Sequence, residues 1–142
     1  MANRQFVTFR IKEDLLGIDV LRVREINRML DITPVPKAPP YVRGLVNLRG
    51  QTLTVFDLAA RLEMAPSGIT AESHNVVLKH HLVGLLVDSI GNIVQCDERE
   101  VGKCPANACS IKAKFIEGVL QMEDELLVIL RSEKLLEYAG CK

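Results

Sequence analysis

A chain of 142 residues that carries one pattern twice is constrained before any other property is considered. Tyr41 to Leu48 aligns without a gap on Phe115 to Met122, an offset of 74, and the same register sets Leu53, Val55 and Phe56 on Leu127, Ile129 and Leu130. Upstream, Phe9, Ile11, Gly17, Ile18 and Val20 fall on Val76, Leu78, Gly84, Leu85 and Val87 at an offset of 67. The difference of seven is one insertion in the second copy, between Gln95 and Lys114. A unit of this size buries too little surface to stand comfortably alone, so two related units are expected to share a buried face. Such an architecture points to a scaffold rather than a catalyst.

The material for a core is ample: 19 Leu, 15 Val and 10 Ile, with no Trp. Lys plus Arg equals Asp plus Glu at 18 each. That balance supplies no long-range field for phosphate backbones or anionic lipid, so nucleic acid is not an expected partner. No apolar run reaches the roughly 18 residues of a spanning helix, so direct membrane insertion is not expected. Met-Ala-Asn-Arg-Gln runs straight into a strand pattern and lacks the apolar core of a secretion signal. A cytoplasmic protein is expected, with Cys96, Cys104, Cys109 and Cys141 as reduced thiols.

Val7, Phe9 and Ile11 alternate with polar residues as a half-buried strand does, and Leu16 to Val20 returns as a second arm. Val20 to Leu30 reads as a short helical turn followed by a strand. Pro34, Pro36, Pro39 and Pro40 form a stiff connector. Tyr41 to Gly44 reads as one helical turn, and Leu45–Leu48 with Thr52–Phe56 as a hairpin around Arg49-Gly50. Asp57 suits the N-cap of a helix from Leu58 to Leu62, and Ser132 that of a final helix from Glu133 to Ala139. Leu82–Val87 and Leu126–Leu130 are apolar on both faces, as strands covered on both sides are. They are the expected meeting strands of the two units.

Chemistry is hard to find. His80 and His81 are adjacent and would point to opposite faces of a strand. Cys104 and Cys109 lack the two-residue interval of a zinc knuckle, and a disulfide between them would need an oxidising trigger. No phosphate-binding glycine loop and no nucleophile elbow occurs. An enzyme, a metal or a cofactor is therefore not expected.

The second copy acts as an internal control. Where the first has Arg49-Gly50 at its hairpin tip the second has Glu123-Asp124, and Arg43 becomes Glu117 beside the matched glycines Gly44 and Gly118. The fold does not demand these arginines. An arginine on a rigid turn suits a bidentate contact with a partner's carboxylate. The alternative is an internal pair between Arg49 and a carboxylate such as Glu25 or Asp57. Gly44 suits close backbone packing in both copies.

Phe6-Val7-Thr8-Phe9, then Gly17 to Ile26, and above all the stretch from Pro34 through Asn47-Leu48-Arg49-Gly50 to Asp57, resemble the CheW-like domains of bacterial chemotaxis. Val83 to Asp88, Phe115 to Val119 and Leu126 to Leu136 extend the likeness over residues 4–139. The resemblance implies an all-β protein of two packed five-stranded SH3-like barrels with a few short helices. It places one barrel in each approximate half, 4–64 and 73–139, and leaves room for strand or helix exchange between them. It implies no enzymatic activity and no cofactor. Its implied role is an adaptor between the cytoplasmic tip of transmembrane chemoreceptors and the regulatory domain of the histidine kinase CheA, at membrane-associated receptor arrays. Arg49, Gly44, Val23 and Glu25 match family contact positions, and Arg43 joins them from the comparison of copies. A chain ending soon after its last helix leaves no room for a kinase core, so a stand-alone adaptor, monomeric in isolation, is expected. A scaffold of a non-flagellar pathway and an SH3-like module for another protein ligand are the rival readings.

Overall fold

The computed structural model describes residues 3–28, 32–65, 68–103 and 111–136. Cys104 and Cys109, and the final helix beyond Leu136, lie outside them. The first half contributes β1 (Asn3–Ile11), β2 (Asp14–Asp19), β3 (Val23–Arg28), β4 (Val42–Leu48), β5 (Gln51–Asp57) and α1 (Leu58–Arg61). The second contributes β6 (His74–Leu78), β7 (Val83–Val87), β8 (Ser89–Asp97), β9 (Ile116–Gln121), β10 (Leu126–Leu130) and α2 (Ser132–Leu135). A 3-10 turn, Val20–Arg22, precedes β3, as the sequence suggests, and Asp19 caps it by accepting from the Leu21 amide.

These strands form two five-stranded sheets, in the orders β8-β1-β2-β10-β9 and β3-β6-β7-β5-β4. Each sheet therefore draws on both halves, and neither half-sequence is a barrel of its own. The halves meet in two antiparallel ladders, β1–β8 and β3–β6, and in two short parallel ones: Gly17 opposite Ile129 in one sheet, Val55 opposite Gly84 in the other. Those two parallel pairs interchange under the offsets of 74 and 67, so the duplication is a pseudo-twofold relation in space.

Edge-to-edge closure repeats too. The chain leaving β3 crosses to the far edge of its sheet, where Thr33 and Leu45 exchange two hydrogen bonds of 2.8 Å. The chain leaving β8 does the same, with Gly102 and Val119 bonded at 2.8 and 2.9 Å. Both sheets thereby curl towards barrels and protect their edges.

β7 and β10 are apolar on both faces because each separates two cores. Leu127 and Ile129 face a cluster with Phe6, Leu15, Cys96 and Leu120, inside the first sheet. Val128 and Leu130 face the large shared cluster, as do Leu85 and Val87 of β7. Leu86 instead joins Val46, Leu48, Leu53, Val55 and Val77 inside the second sheet. The shared cluster adds Phe9, Phe56, Leu58 and Phe115, all at most 2% exposed. Each such buried side chain contributes about 1.5–3 kcal/mol relative to exposure.

Three local expectations need correction. Tyr41–Gly44 is not a helical turn: β4 begins at Val42, and Gly44 has φ 148, where its ladder with β5 is bulged. Ser132 does not cap α2 but lies within it, buried, with Arg131 at the N-cap and no side-chain bond there. Asp57 does cap α1, accepting from the Ala60 amide at 3.2 Å. The first arms of the two leading hairpins correspond at an offset of 69, not 67. Ile11–Asp14 closes around two residues, whereas Val77 opposite Gly84 leaves a longer loop through Lys79–Leu82, which shifts β6 by two positions. An even shift keeps every side chain on its face, so the apolar match survived the error.

Candidate protein-interaction site

β4 and β5 form a hairpin with Leu48 opposite Gln51, leaving Arg49 and Gly50 as a two-residue turn. Their φ values, 50 and 86, are both positive, as the right-handed twist of a hairpin favours. Gly50 adopts this without steric cost, and its amide donates to Asn47 Oδ1 at 3.0 Å. Arg49 does not: a non-glycine residue there stores about 1 kcal/mol or more. Asparagine or glycine would suit the turn better, so the arginine answers to something other than local geometry.

The turn reaches β3. Arg49 Nη2 forms a salt bridge with Glu25, and Arg24 Nη1 donates to Gln51 Oε1 at 3.0 Å. The two edge strands of the second sheet are thus clamped at the tip as well as at Thr33. The Arg49 guanidinium holds the Glu25 carboxyl below the usual carboxylate range, with desolvation opposing the shift, and the same bond raises Arg49. Even so, the Arg49 side chain is 63% exposed against 20% for Glu25. The internal pair and the outward display, which the sequence left as alternatives, coexist.

The other residues divide. Val23, opposite Leu78, is half-buried against the shared core and close to Glu25 on β3. Gly44 is a packing residue: a Cβ there would lie 2.3 Å from Thr33 O and 2.6 Å from Ile32 Cγ2. Gly118 repeats the arrangement, its Cβ falling 2.6 Å from Val101 Cγ1 and 2.9 Å from Gly102 O. Arg43 stands at the start of β4, the far end of that strand from the turn, 3.6 Å from the buried carboxylate of Asp57. It therefore shares no continuous basic patch with Arg49.

The second half does not reproduce the clamp. β3 and β8 correspond at an offset of 67, with a ladder bulge at matching positions, Val23/Glu25 and Val7/Phe9. Glu25 and Arg24 become Asn92 and Gly91, and Arg49 and Gln51 become Glu123 and Glu125. That acidic tip is fastened instead by Arg10, which donates to both Glu125 oxygens at 3.0 and 2.7 Å.

Sequence reasoning missed a cleft of about 770 Å³ between the halves, lined among others by Arg4, Asp19, Val20, Leu21, Glu98 and Glu117. Arg4 bridges Asp19 at 2.8 Å and Glu117 at 2.7 Å. Leu21 is 72% exposed beside it. Its rim is charged, with Arg4, Asp19, Glu98 and Glu117 around it. The legible signal was Leu21, an apolar residue where the second copy has Asp88. Among the described residues no cluster of His, Cys, Asp and Glu could hold a metal ion.

Two curled five-stranded sheets, related by a pseudo-twofold and bearing one clamped arginine turn, define a duplicated β scaffold of the CheW type. The CheW-like domain model matches residues 5–140, and the chain belongs to that family. It is 33% identical to the chemotaxis protein CheW of Rhizobium meliloti (strain 1021), over 91% of this chain and 84% of that protein. It is 31% identical to the chemotaxis protein CheW of Treponema pallidum (strain Nichols), over 92% and 81%. The crystal structure of the scaffolding protein TtCheW from Thermoanaerobacter tengcongensis superimposes with a TM-score of 0.88 at 27% identity, covering 100% of this chain and 93% of that one.

Proposed function

We propose that this protein is a bivalent, non-enzymatic adaptor that couples the cytoplasmic tip of chemoreceptors to the histidine kinase CheA. The observation that carries the reading is the Arg49 turn. Arg49 accepts backbone strain, is tied to Glu25, stays largely exposed, and has no counterpart in the other half. A cation held in a fixed orientation loses little entropy on meeting a partner's carboxylate. The second partner would use another face of the scaffold, and the cleft beside Leu21 fits a receptor helix that carries both apolar and charged side chains. The mechanism is positional: kinase is concentrated at receptor tips, and small shifts of one partner bias the other. Cytoplasmic residence at receptor arrays belongs to the same proposal. No helix among the described residues is long and apolar enough to cross a membrane.

The test is reconstitution of the protein with a receptor cytoplasmic fragment and the kinase, followed by sedimentation and phosphorylation rate. A ternary complex with altered kinase rate is expected. Failure to bind either partner ends the adaptor reading.

A further inference from the structure

The division of strands between halves has a consequence for self-association. Within the first half the hydrogen-bonded ladders are β1–β2 and β4–β5; within the second they are β6–β7 and β9–β10. The four other ladders, β1–β8, β2–β10, β3–β6 and β5–β7, all join one half to the other. Among the described residues β3 has its only ladder with β6. Each half alone is thus two isolated hairpins and one unpaired strand, and isolated hairpins are at best marginally stable in water. The cores are divided in the same way. Phe6 and Leu15 of the first half complete a cluster built mainly by the second, and Val77 and Leu86 of the second complete one built mainly by the first.

Only the segment between α1 and β6 joins the halves covalently. Its two ends are anchored, Leu62 and Met64 against the shared core and Ser73 buried, but between them Ile69 is 46% exposed and a Cβ on Gly68 would meet nothing within 4 Å. Towards α1, Glu63 pairs with Lys112 and Lys114 and Ala65 O accepts from Lys12 Nζ, whereas from Thr70 to Ser73 the bonds are a local turn, including one from the Thr70 amide to Ser73 Oγ. The contacts that make the fold are therefore indifferent to whether the two halves belong to one chain.

We propose that this protein exchanges halves with a second copy of itself, forming a dimer in which residues 3–65 of one chain pair with residues 68–136 of the other. Every ladder and core cluster is retained in each of the two units, and each unit keeps its Arg49 turn. Cis closure is favoured by the high effective concentration of tethered halves, trans closure by protein concentration and by any shortening of the tether. The inference is independent of the identity of the signalling partners.

Two full-length variants test it. Phe56→Asp buries a charge in the first half, Leu127→Asp in the second, and each alone is expected to lose its cooperative melt. Unfolded together and refolded as an equimolar mixture, they can assemble one intact unit from their two undamaged halves. Recovery of a cooperative transition, in a species of twice the monomer mass, is expected. A mixture that behaves as the sum of its parts overturns the proposal. Deleting residues 66–70 is the second measurement: sedimentation should report dimer with an unchanged far-ultraviolet spectrum, and a folded monomer would equally overturn it. Should that deletion not fold, the mixed variants decide alone.

Discussion

Gly44 and Gly50 show two different demands on a glycine in one hairpin. At Gly44 both backbone angle and space exclude a side chain, since Thr33 O would lie 2.3 Å from a Cβ. At Gly50 only the angle matters, with nothing within 4 Å of the added atom. Gly44→Ala should therefore cost on the order of 3 kcal/mol in urea unfolding, and Gly50→Ala about 1 kcal/mol. Equal losses would refute the close approach at Thr33. Arg49→Glu should abolish coupling of receptor to kinase while the melting temperature shifts by only a few degrees, because exposed ion pairs contribute little to stability. A collapse of the fold would instead make the Glu25 pair the residue's whole role.

Between elements, a buried arginine has most to say. Arg61 of α1 is 8% exposed and lies over the rings of Tyr41 and Phe115, at 5.1 and 5.0 Å from their centroids. Those aromatics are pseudo-equivalent residues of opposite halves. Its Nε donates to Leu135 O at 2.8 Å and its Nη2 to Lys134 O at 2.9 Å, closing the end of α2. Arg61→Ala should cost about 2–4 kcal/mol and accelerate amide exchange in α2, measured by mass spectrometry. An unchanged exchange rate there would separate the helix from the arginine. Surface ion pairs add a modest acid dependence. Arg49 holds Glu25, Lys112 holds Glu63 and Arg10 holds Glu125, each bond lowering the carboxyl below its ordinary value. A depressed carboxyl adds stability above its unfolded value and loses it as pH falls through the folded one. Stability should hold above about pH 5 and decline below about pH 4, with part of the decline absent in Glu125→Gln.

The molecule as a whole should unfold as one unit, because its three core clusters all take residues from both halves. Calorimetry is expected to give a single transition with equal calorimetric and van't Hoff enthalpies. Two separated transitions would mean that the halves are independent after all. The duplication was legible because period and apolar pattern are local properties. Leu45 to Leu48 against Val119 to Met122 needs no knowledge of partners. The covered strands β7 and β10 were legible for the same reason, since burial on both faces leaves an unbroken apolar run. Gly44 escaped as a strand residue because its bulge exists only against β5.

By itself the sequence determined that there are two related units, which strands lie between cores, and that one hairpin tip carries a cation the fold does not require. Alternation, turn chemistry and a comparison of copies are enough for each of these, and all are written within short stretches of chain. Only the tertiary structure decided that the units interlace, that Arg49 meets Glu25, and that Arg43 belongs to Asp57 instead. Those outcomes depend on which distant edges come together, and parallel ladders such as β2–β10 leave no periodicity in the residues that form them.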